Sequence, residues 1–247
     1  MTKQNVTLSI IIASFNAKNE LNDTITFLLK EFDHQIKEKL LEIVVIDGGS
    51  NDGTSELMRN IPTIRFLSES DNGIYDAMNK GVCLSFGKYC YFLSAGDKLI
   101  IENFNIILSE LESSTVDVIT ANVDVYSRKK DFIRTTGSVI NSREDFKKSM
   151  PVCHQATFFR NNHTLFYLPI FQLIGDKELL LRKFENKETF RHYNISIMNY
   201  FRDGFSANNT LLWKKENVVF SLLYFGISID LVTKTISYCL ERIKRIL

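Results

Sequence analysis

Up to residue 97 the chain alternates short apolar, β-rich runs with stretches whose apolar positions recur at helical spacing. The strand-like runs are Leu8–Ala13, Glu42–Asp47, Ile64–Glu69 and Lys88–Leu93. Between them Leu21–Phe32, Ser55–Asn60 and Ile74–Phe86 have the spacing of helices, each preceded by turn-forming residues. Strands and helices in this alternation read as βαβ units on a largely parallel sheet. Beyond Asp97 the regularity loosens into a helix near Glu102–Leu111, a long strand over Val116–Tyr126, a polar loop, a strand near Ala156–Phe159 and further helical patterns. No internal repeat or low-complexity tract is visible, and no linker precedes about Ala207.

A chain of 247 residues buries a substantial core and suits one α/β domain with an appendage. Its 45% hydrophobic and 24% charged residues, with three prolines, are those of an ordinary globular protein. A formal charge of +1 offers no general attraction to nucleic acid, so nucleic acid is not an expected partner. Cys83, Cys90, Cys153 and Cys239 form no C-x-x-C pair, and are expected as reduced, mostly buried thiols. Met1–Thr7 lacks the basic-then-apolar layout of a secretory signal, which predicts a cytoplasmic protein.

In an open α/β sheet, ligands sit beyond the carboxyl ends of the strands, and four strand ends here turn polar. The first gives Ser14-Phe15-Asn16, where backbone and side chains could meet a nucleotide or simply start a loop. The second gives Asp47-Gly48-Gly49-Ser50-Asn51-Asp52-Gly53-Thr54: Asp47 is placed for a base or ribose, and Asp52 for capping the next helix. The third, Asp71-Asn72-Gly73-Ile74-Tyr75-Asp76-Ala77-Met78-Asn79-Lys80-Gly81, opens a helix whose first amides favour an anion. Lys80 either adds charge near a phosphate or is solvated, and Asp71 could be only an N-cap. The fourth, Ser94-Ala95-Gly96-Asp97, ends in one carboxylate. That suffices for Mg²⁺ or Mn²⁺ where a diphosphate and water complete the shell. No G-x-G-x-x-G pattern follows a strand, which counts against a nicotinamide enzyme.

In order and spacing these runs resemble the inverting glycosyltransferases of family 2. The family's S-x-N loop matches Ser14–Asn16, its I-D-D/G-G-S-x-D-G-T matches Asp47–Thr54, and its D-x-G-x-x-x-A-x-N-x-G matches Asp71–Gly81. The N-G-I-Y-D-A-M-N-K-G and F-L-x-A-G-D runs are those of a subgroup that assembles bacterial O-antigen, capsule or colanic acid. The resemblance implies a GT-A fold: a Rossmann-like α/β domain over 1–206 with a mixed, mostly parallel sheet flanked by helices. Residues 1–97 would be the nucleotide-sugar half, residues 98–206 the acceptor half, and 207–247 a helical tail. It implies that Asp47 contacts the nucleobase, that Ser14, Asn16, Asp71, Asn72, Lys80, Ala95 and Gly96 surround a nucleotide-sugar donor, by family weight a UDP-sugar, and that Asp97 holds Mn²⁺ or Mg²⁺. The family's usual D-x-D-D is reduced here to Asp97 alone, which implies a weaker, substrate-dependent metal site.

Downstream, Cys153-His154-Gln155 with Phe158-Phe159-Arg160 resembles the subgroup's C-H-Q-x-x-F-F-R, and places His154 and Gln155 near the sugar; a lone buried histidine is otherwise a structural hydrogen-bonder. Asp176 is the first candidate for catalytic base and Glu178 the second, in a segment that resembles the family's acidic one; both also suit a helix start. Asp203-Gly204-Phe205-Ser206 resembles a G-G-x-S loop. From Leu211 onward six basic side chains oppose three acidic ones, leaving the tail at +3 and the rest at −2. Asn217–Ile229 is uncharged yet shorter than the ~20 residues of a spanning helix. With Trp213, Phe220, Tyr224 and Phe225 it predicts peripheral membrane contact, against packing on the domain or a homodimer partner. A polyprenyl-diphosphate-linked saccharide is the acceptor this resemblance implies. The competing readings are a non-catalytic nucleotide-sugar-binding protein and a nucleotidyltransferase.

Overall fold

The structure, a computed structural model, describes residues 6–127, 129–201 and 209–227, with 233–235 and 238. Four strands, β1 (Leu8–Ser14), β2 (Leu41–Asp47), β3 (Arg65–Ser68) and β4 (Tyr89–Ser94), run parallel in the order β3-β2-β1-β4. β1 and β2 are near-continuous apolar runs because a parallel strand between helices is buried on both faces. Alternation divides their side chains between two cores. Ile10, Ile12, Val45, Tyr91 and Leu93 meet α1 (Lys18–Glu31) and α5 (Ile101–Ser113). Ile11, Val44, Ile46 and Phe92 meet α4 (Ile74–Leu84) and α7 (Gly175–Glu185). Gly81 of α4 lies against β1 so closely that a Cβ would stand 2.4 Å from Ile11 Cγ2. Short helices α2 (Asp33–Lys37) and α3 (Thr54–Arg59) complete this half.

The sheet then continues with mixed polarity. β8 (Thr157–Arg160) is antiparallel to both β4 and β6 (Val118–Tyr126), and β9 (Phe190–Phe201) is parallel to β6. β5 (Lys98–Leu99) closes the far edge against β9, and β7 (Phe132–Thr136) pairs with the outer part of β6. Two expectations fail here. The segment after Phe159, read as helical, contains the twelve-residue β9, and the expected polar loop contains β7. Residues 192–197 do alternate, with His192, Asn194 and Ser196 against Tyr193, Ile195 and Ile197. Register shifts against β6 break the longer pattern and obscure the period of two.

The tail is less separate than the sequence implies. α8 (Thr210–Phe225) buries Glu216, Asn217, Phe220 and Ser221 against the second core. The expected boundary at 206 and the Asp203–Ser206 loop lie outside the described residues. Of the aromatic residues assigned to a membrane interface, Phe220 is buried and Tyr224 and Phe225 pack on the core, whereas Trp213 is exposed. No helix among the described residues is long and apolar enough to cross a membrane.

One carboxylate fixes α8 to the domain. Glu216 accepts hydrogen bonds from the backbone amides of Gln172 (2.7 Å), Leu173 (2.9 Å) and Ile174 (3.1 Å), the residues that lead into α7. Lys177 Nζ donates to Asn217 Oδ1 at 3.0 Å and lies 4.6 Å from the centre of the Phe220 ring. Truncating Glu216 leaves three amides without their acceptor. Glu216→Ala is therefore expected to lower unfolding free energy by about 2–4 kcal/mol, measured by urea denaturation. An unchanged midpoint would remove this anchoring role.

Candidate functional site

The order β2-β1-β4 reverses at β1, and the chain leaves β1 and β4 in opposite directions. Such a switch point opens a crevice beyond the strand ends. In-register pairing brings Ser14 level with Asp47 and Ala13 level with Ser94, so the polar strand ends meet. A cleft of about 570 Å³ opens there, lined among others by Ser14, Ser94, Asp97, His154, Gln155 and Asp176. A larger depression of about 810 Å³ lies beside Arg143, Phe184 and Phe190. Two of its charges are engaged with each other in the Arg143–Glu185 ion pair at 2.9 Å, and Glu188 is paired with Lys183.

The rim of the cleft is built by two loops clasping one another. Asn16 adopts positive φ (49°), its amide donates to Ser50 Oγ at 2.7 Å, and its Oδ1 accepts the Asn51 amide at 3.1 Å. Asp52 accepts the Thr54 amide and hydroxyl at 3.0 and 2.6 Å and also the Lys18 amide at 3.0 Å, so it serves the first turns of both α3 and α1. The Thr54 hydroxyl is the main reason its carboxyl is held below the ordinary value.

Asp47 is placed differently from what the resemblance implies. It is fully buried, and its oxygens accept the Ser50 hydroxyl and amide and the Ser68 hydroxyl (2.7 Å). It does not line the cleft; contact with a base would require one of those hydroxyls to turn away. Asp71 accepts the Gly73 amide at 2.9 Å and packs so close to Gly48 that a Cβ there would sit 2.5 Å from Oδ2. Asn72 is tied to Asp76 through its amide at 2.9 Å. Lys80 donates to the Ser70 carbonyl and to Glu69, both at 2.9 Å, and its ammonium pKa is raised chiefly by Glu69. Asp71, Asn72 and Lys80 thus order the β3–α4 turn next to the cleft rather than line it.

The fourth strand end does line it. Gly96 has φ +90°, and its amide donates to Thr24 Oγ1 at 2.8 Å, which fixes the Ser94–Asp97 turn against α1. Asp97 Oδ2 accepts the Ser94 amide at 3.1 Å, and the Ser94 side chain also hydrogen-bonds to this carboxylate. Burial raises the Asp97 carboxyl to about 6, partly offset by the hydrogen bond from Ser94. Ser14 Oγ, also on the wall, is buried without a partner, a hydroxyl that a bound ligand would satisfy. No three His, Cys, Asp or Glu side chains converge among the described residues, so there is no self-sufficient cation cage. One cleft-lining carboxylate fits a hard cation whose shell is completed by water and a ligand's phosphates.

Opposite Asp97, Asp176 lies in the first turn of α7. Its Oδ1 accepts the Tyr75 hydroxyl at 3.2 Å and the Lys177 amide at 2.8 Å, leaving Oδ2 without a protein donor among the described residues. Burial raises the Tyr75 phenol well above its ordinary value, so it stays a donor. Tyr75 stacks on Tyr167 at 5.0 Å, whose hydroxyl is 2.6 Å from His154 Nε2. His154 also stacks on Phe92 at 5.2 Å, and burial lowers its pKa; it is a neutral ring in the cleft floor. Gln155 Nε2 donates to Ser94 Oγ at 3.4 Å. Burial pushes the neighbouring Cys153 thiol up to about 12, so no thiolate nucleophile is available there.

Glu178 is corrected. It is fully buried, ion-paired to Arg182 at 2.8 Å and hydrogen-bonded by the Tyr224 hydroxyl, away from the cleft. A helix period explains this: two residues beyond Asp176 a side chain points to the other side of α7. The sequence reading missed Tyr75 as a partner of Asp176, Tyr200 and Phe201 on the cleft wall, and Glu216 behind it. Tyr75 stood within a quoted motif, and Tyr200 and Phe201 open the Tyr200–Ser206 run that resembles the G-G-x-S turn; nothing local signalled Glu216. Of the described cysteines, Cys83 is exposed, contrary to the expectation of mostly buried thiols, while Cys90 is buried.

Comparison with known proteins agrees with this geometry. The family model described as glycosyl transferase family 2 matches residues 9–180. The chain is 29% identical over 188 residues to a PGL/p-HBAD biosynthesis glycosyltransferase of Mycobacterium tuberculosis, covering 70% of each protein. Its fold is similar to that of S. aureus TarS 1-349 in complex with UDP-GlcNAc (TM-score 0.60, 14% identity, 92% of this chain and 69% of that one). It is also similar to the mannosyltransferase PcManGT from Pyrobaculum calidifontis in complex with GDP-Man and Mn²⁺ (TM-score 0.59, 13% identity, 87% and 61%). With the family's match spanning most of the chain and a cleft at the switch point of a GT-A-type sheet, this protein belongs to glycosyltransferase family 2 and is an enzyme of sugar transfer.

Proposed function

We propose that the protein moves one sugar, with inversion, from a UDP-sugar to a hydroxyl of a polyprenyl-diphosphate-linked saccharide during synthesis of bacterial O-antigen, capsule or exopolysaccharide. The observation that carries this reading is the presence of Asp97 and Asp176 in one cleft, with Asp176 Oδ2 free of protein donors among the described residues. The UDP-GlcNAc bound by TarS supports the choice of nucleotide. The exposed Trp213, Leu222 and Leu223 of α8 suit peripheral contact with the membrane that holds such an acceptor.

In this mechanism Asp176 Oδ2 takes the proton from the acceptor hydroxyl as that oxygen attacks the anomeric carbon from the face opposite the diphosphate. Tyr75 and the Lys177 amide hold Oδ1 and so fix the carboxylate plane. Asp97 would hold Mn²⁺ or Mg²⁺, which when bound would neutralise charge on the departing diphosphate. Ser14 and Gln155 shape the wall between the two, and Asp47, Asn16, Asp71, Asn72 and Lys80 keep the surrounding loops in place. Ala95 and Gly96, with no bulky side chain, leave room beside Asp97.

Turnover is expected as release of UDP from a donor panel incubated with synthetic lipid-diphosphate sugars and Mn²⁺, and its loss with chelator. Asp176→Asn should lower kcat by about 10²–10⁴-fold with little change in UDP affinity. If neither synthetic nor natural acceptor extracts yield product from any donor, the reading fails.

Asp97 also sets a pH dependence. Its folded pKa of about 6 lies above the unfolded value of 3.8, so the folded state binds the extra proton between them. The contribution of this group to stability is therefore greatest below the unfolded value and is lost as pH rises through about 6. A cation competes for the same oxygen, so Mn²⁺-dependent UDP binding should tighten from pH 5 to pH 7, read by calorimetry. Asp97→Asn should abolish that slope and stabilise the ligand-free protein at pH 7.5 by about 1–2 kcal/mol. A flat profile in the parent protein would contradict the assignment of Asp97.

A further inference from the structure

Three aromatic rings stand in a row across β7, β6 and β9. Tyr126 is the direct strand partner of Phe132 on one side and of Phe201 on the other, with ring centroids 5.8 and 5.7 Å away. Direct partners project to the same face of a sheet, so the rings form one strip. Phe201 lines the cleft, and at the outer end Phe132 is 58% exposed. The opposite face of β6 is occupied by Val123 and Val125 in the first core, so the strip is the open face of this part of the sheet.

Beside the rings runs a polar row. Asp124 pairs with Thr135 on β7 and with Asn199 on β9, and Asn199 pairs with Lys98 on β5, the residue after Asp97. Asp124 Oδ1 accepts the hydroxyls of Thr135 and Ser196, both at 2.7 Å, and Oδ2 takes no donor among the described residues. Thus one surface carries a track of rings that starts at the cleft and, beside it, a track of carboxylate, amide and ammonium.

We propose that this strip is the acceptor subsite and that it binds a saccharide, with a pyranose stacked by its C–H face on Phe132, whose ring stands edge-on to Tyr126 at 74°, and a hydroxyl donated to Asp124 Oδ2. A pyranose is apolar on its ring face and polar around its rim, which matches adjacent apolar and polar tracks. An acyl chain would cover Asp124 and Lys98 without satisfying them. Rigid aromatic side chains lose little conformational freedom on binding, so a row of them that is half-buried along its length and exposed at Phe132 suits recognition. The inference rests on the glycosyltransferase reading above and names the chemistry of its acceptor: at least one sugar residue beyond the one that reacts.

Saturation-transfer NMR with free methyl glycosides and disaccharides ending in glucose, galactose, N-acetylglucosamine or rhamnose tests it, with UDP affinity measured separately by calorimetry. The expected result is transfer to one ring face of at least one probe. Phe132→Ala and Tyr126→Ala should each weaken that probe by about five- to tenfold, and Phe132→Tyr should restore it. UDP affinity in Phe132→Ala should hold within about twofold. Absence of Phe132-dependent transfer for every probe, or an unchanged affinity in Phe132→Ala, overturns the subsite. Failure of UDP to bind while the saccharides do would instead overturn the donor reading and leave the strip standing.

Discussion

The parallel, in-register pairing of β1 with β2 and β4 is the constraint on which the rest of the structure depends. It requires burial on both faces, and the sequence meets that by sending Ile10 and Ile12 to one core and Ile11 to the other. It also ends the strands at one level, so that Ser14, Asp47 and Ser94 arrive together. A slip of one residue along β1 would exchange the two cores and separate the strand ends, so the packing and the site share one register.

The residues that end those strands then divide the labour. Asp47, Asp52, Asp71 and Lys80 spend their polarity on the loops themselves, in bonds to Ser50, Thr54, Gly73 and Glu69. Asp97 and Asp176 face the cleft instead, and Asp176 keeps one oxygen without a donor among the described residues. A site that must meet a charged, flexible ligand profits from that division, because loops already satisfied internally need not reorganise when charge develops in the cleft.

Much of the first half was legible in the chain itself. The strand ends, the helices between them and the motif residues follow from local patterns, and the observed strands β1 to β4 fall within a residue or two of those expected. The second half was less so, because its order depends on distant partners. β9 is interrupted in register, β7 exists only by pairing with β6, and Glu178 differs from Asp176 only by which side of α7 it occupies. Glu216 lies 40 residues from Asp176, on a helix whose apolar residues read as easily for a membrane as for a core. Nothing in local sequence says that its carboxylate will find three amides.

That carboxylate has a consequence for the cleft as well. The amides held by Glu216 belong to Gln172–Ile174, and Asp176 follows two residues later. The docking of α8 and the entry into α7 therefore share one set of hydrogen bonds. A contact that holds α8 against the domain thus also supports the backbone that carries Asp176 into the cleft. In this sense α8 is a buttress, set behind the wall rather than in it.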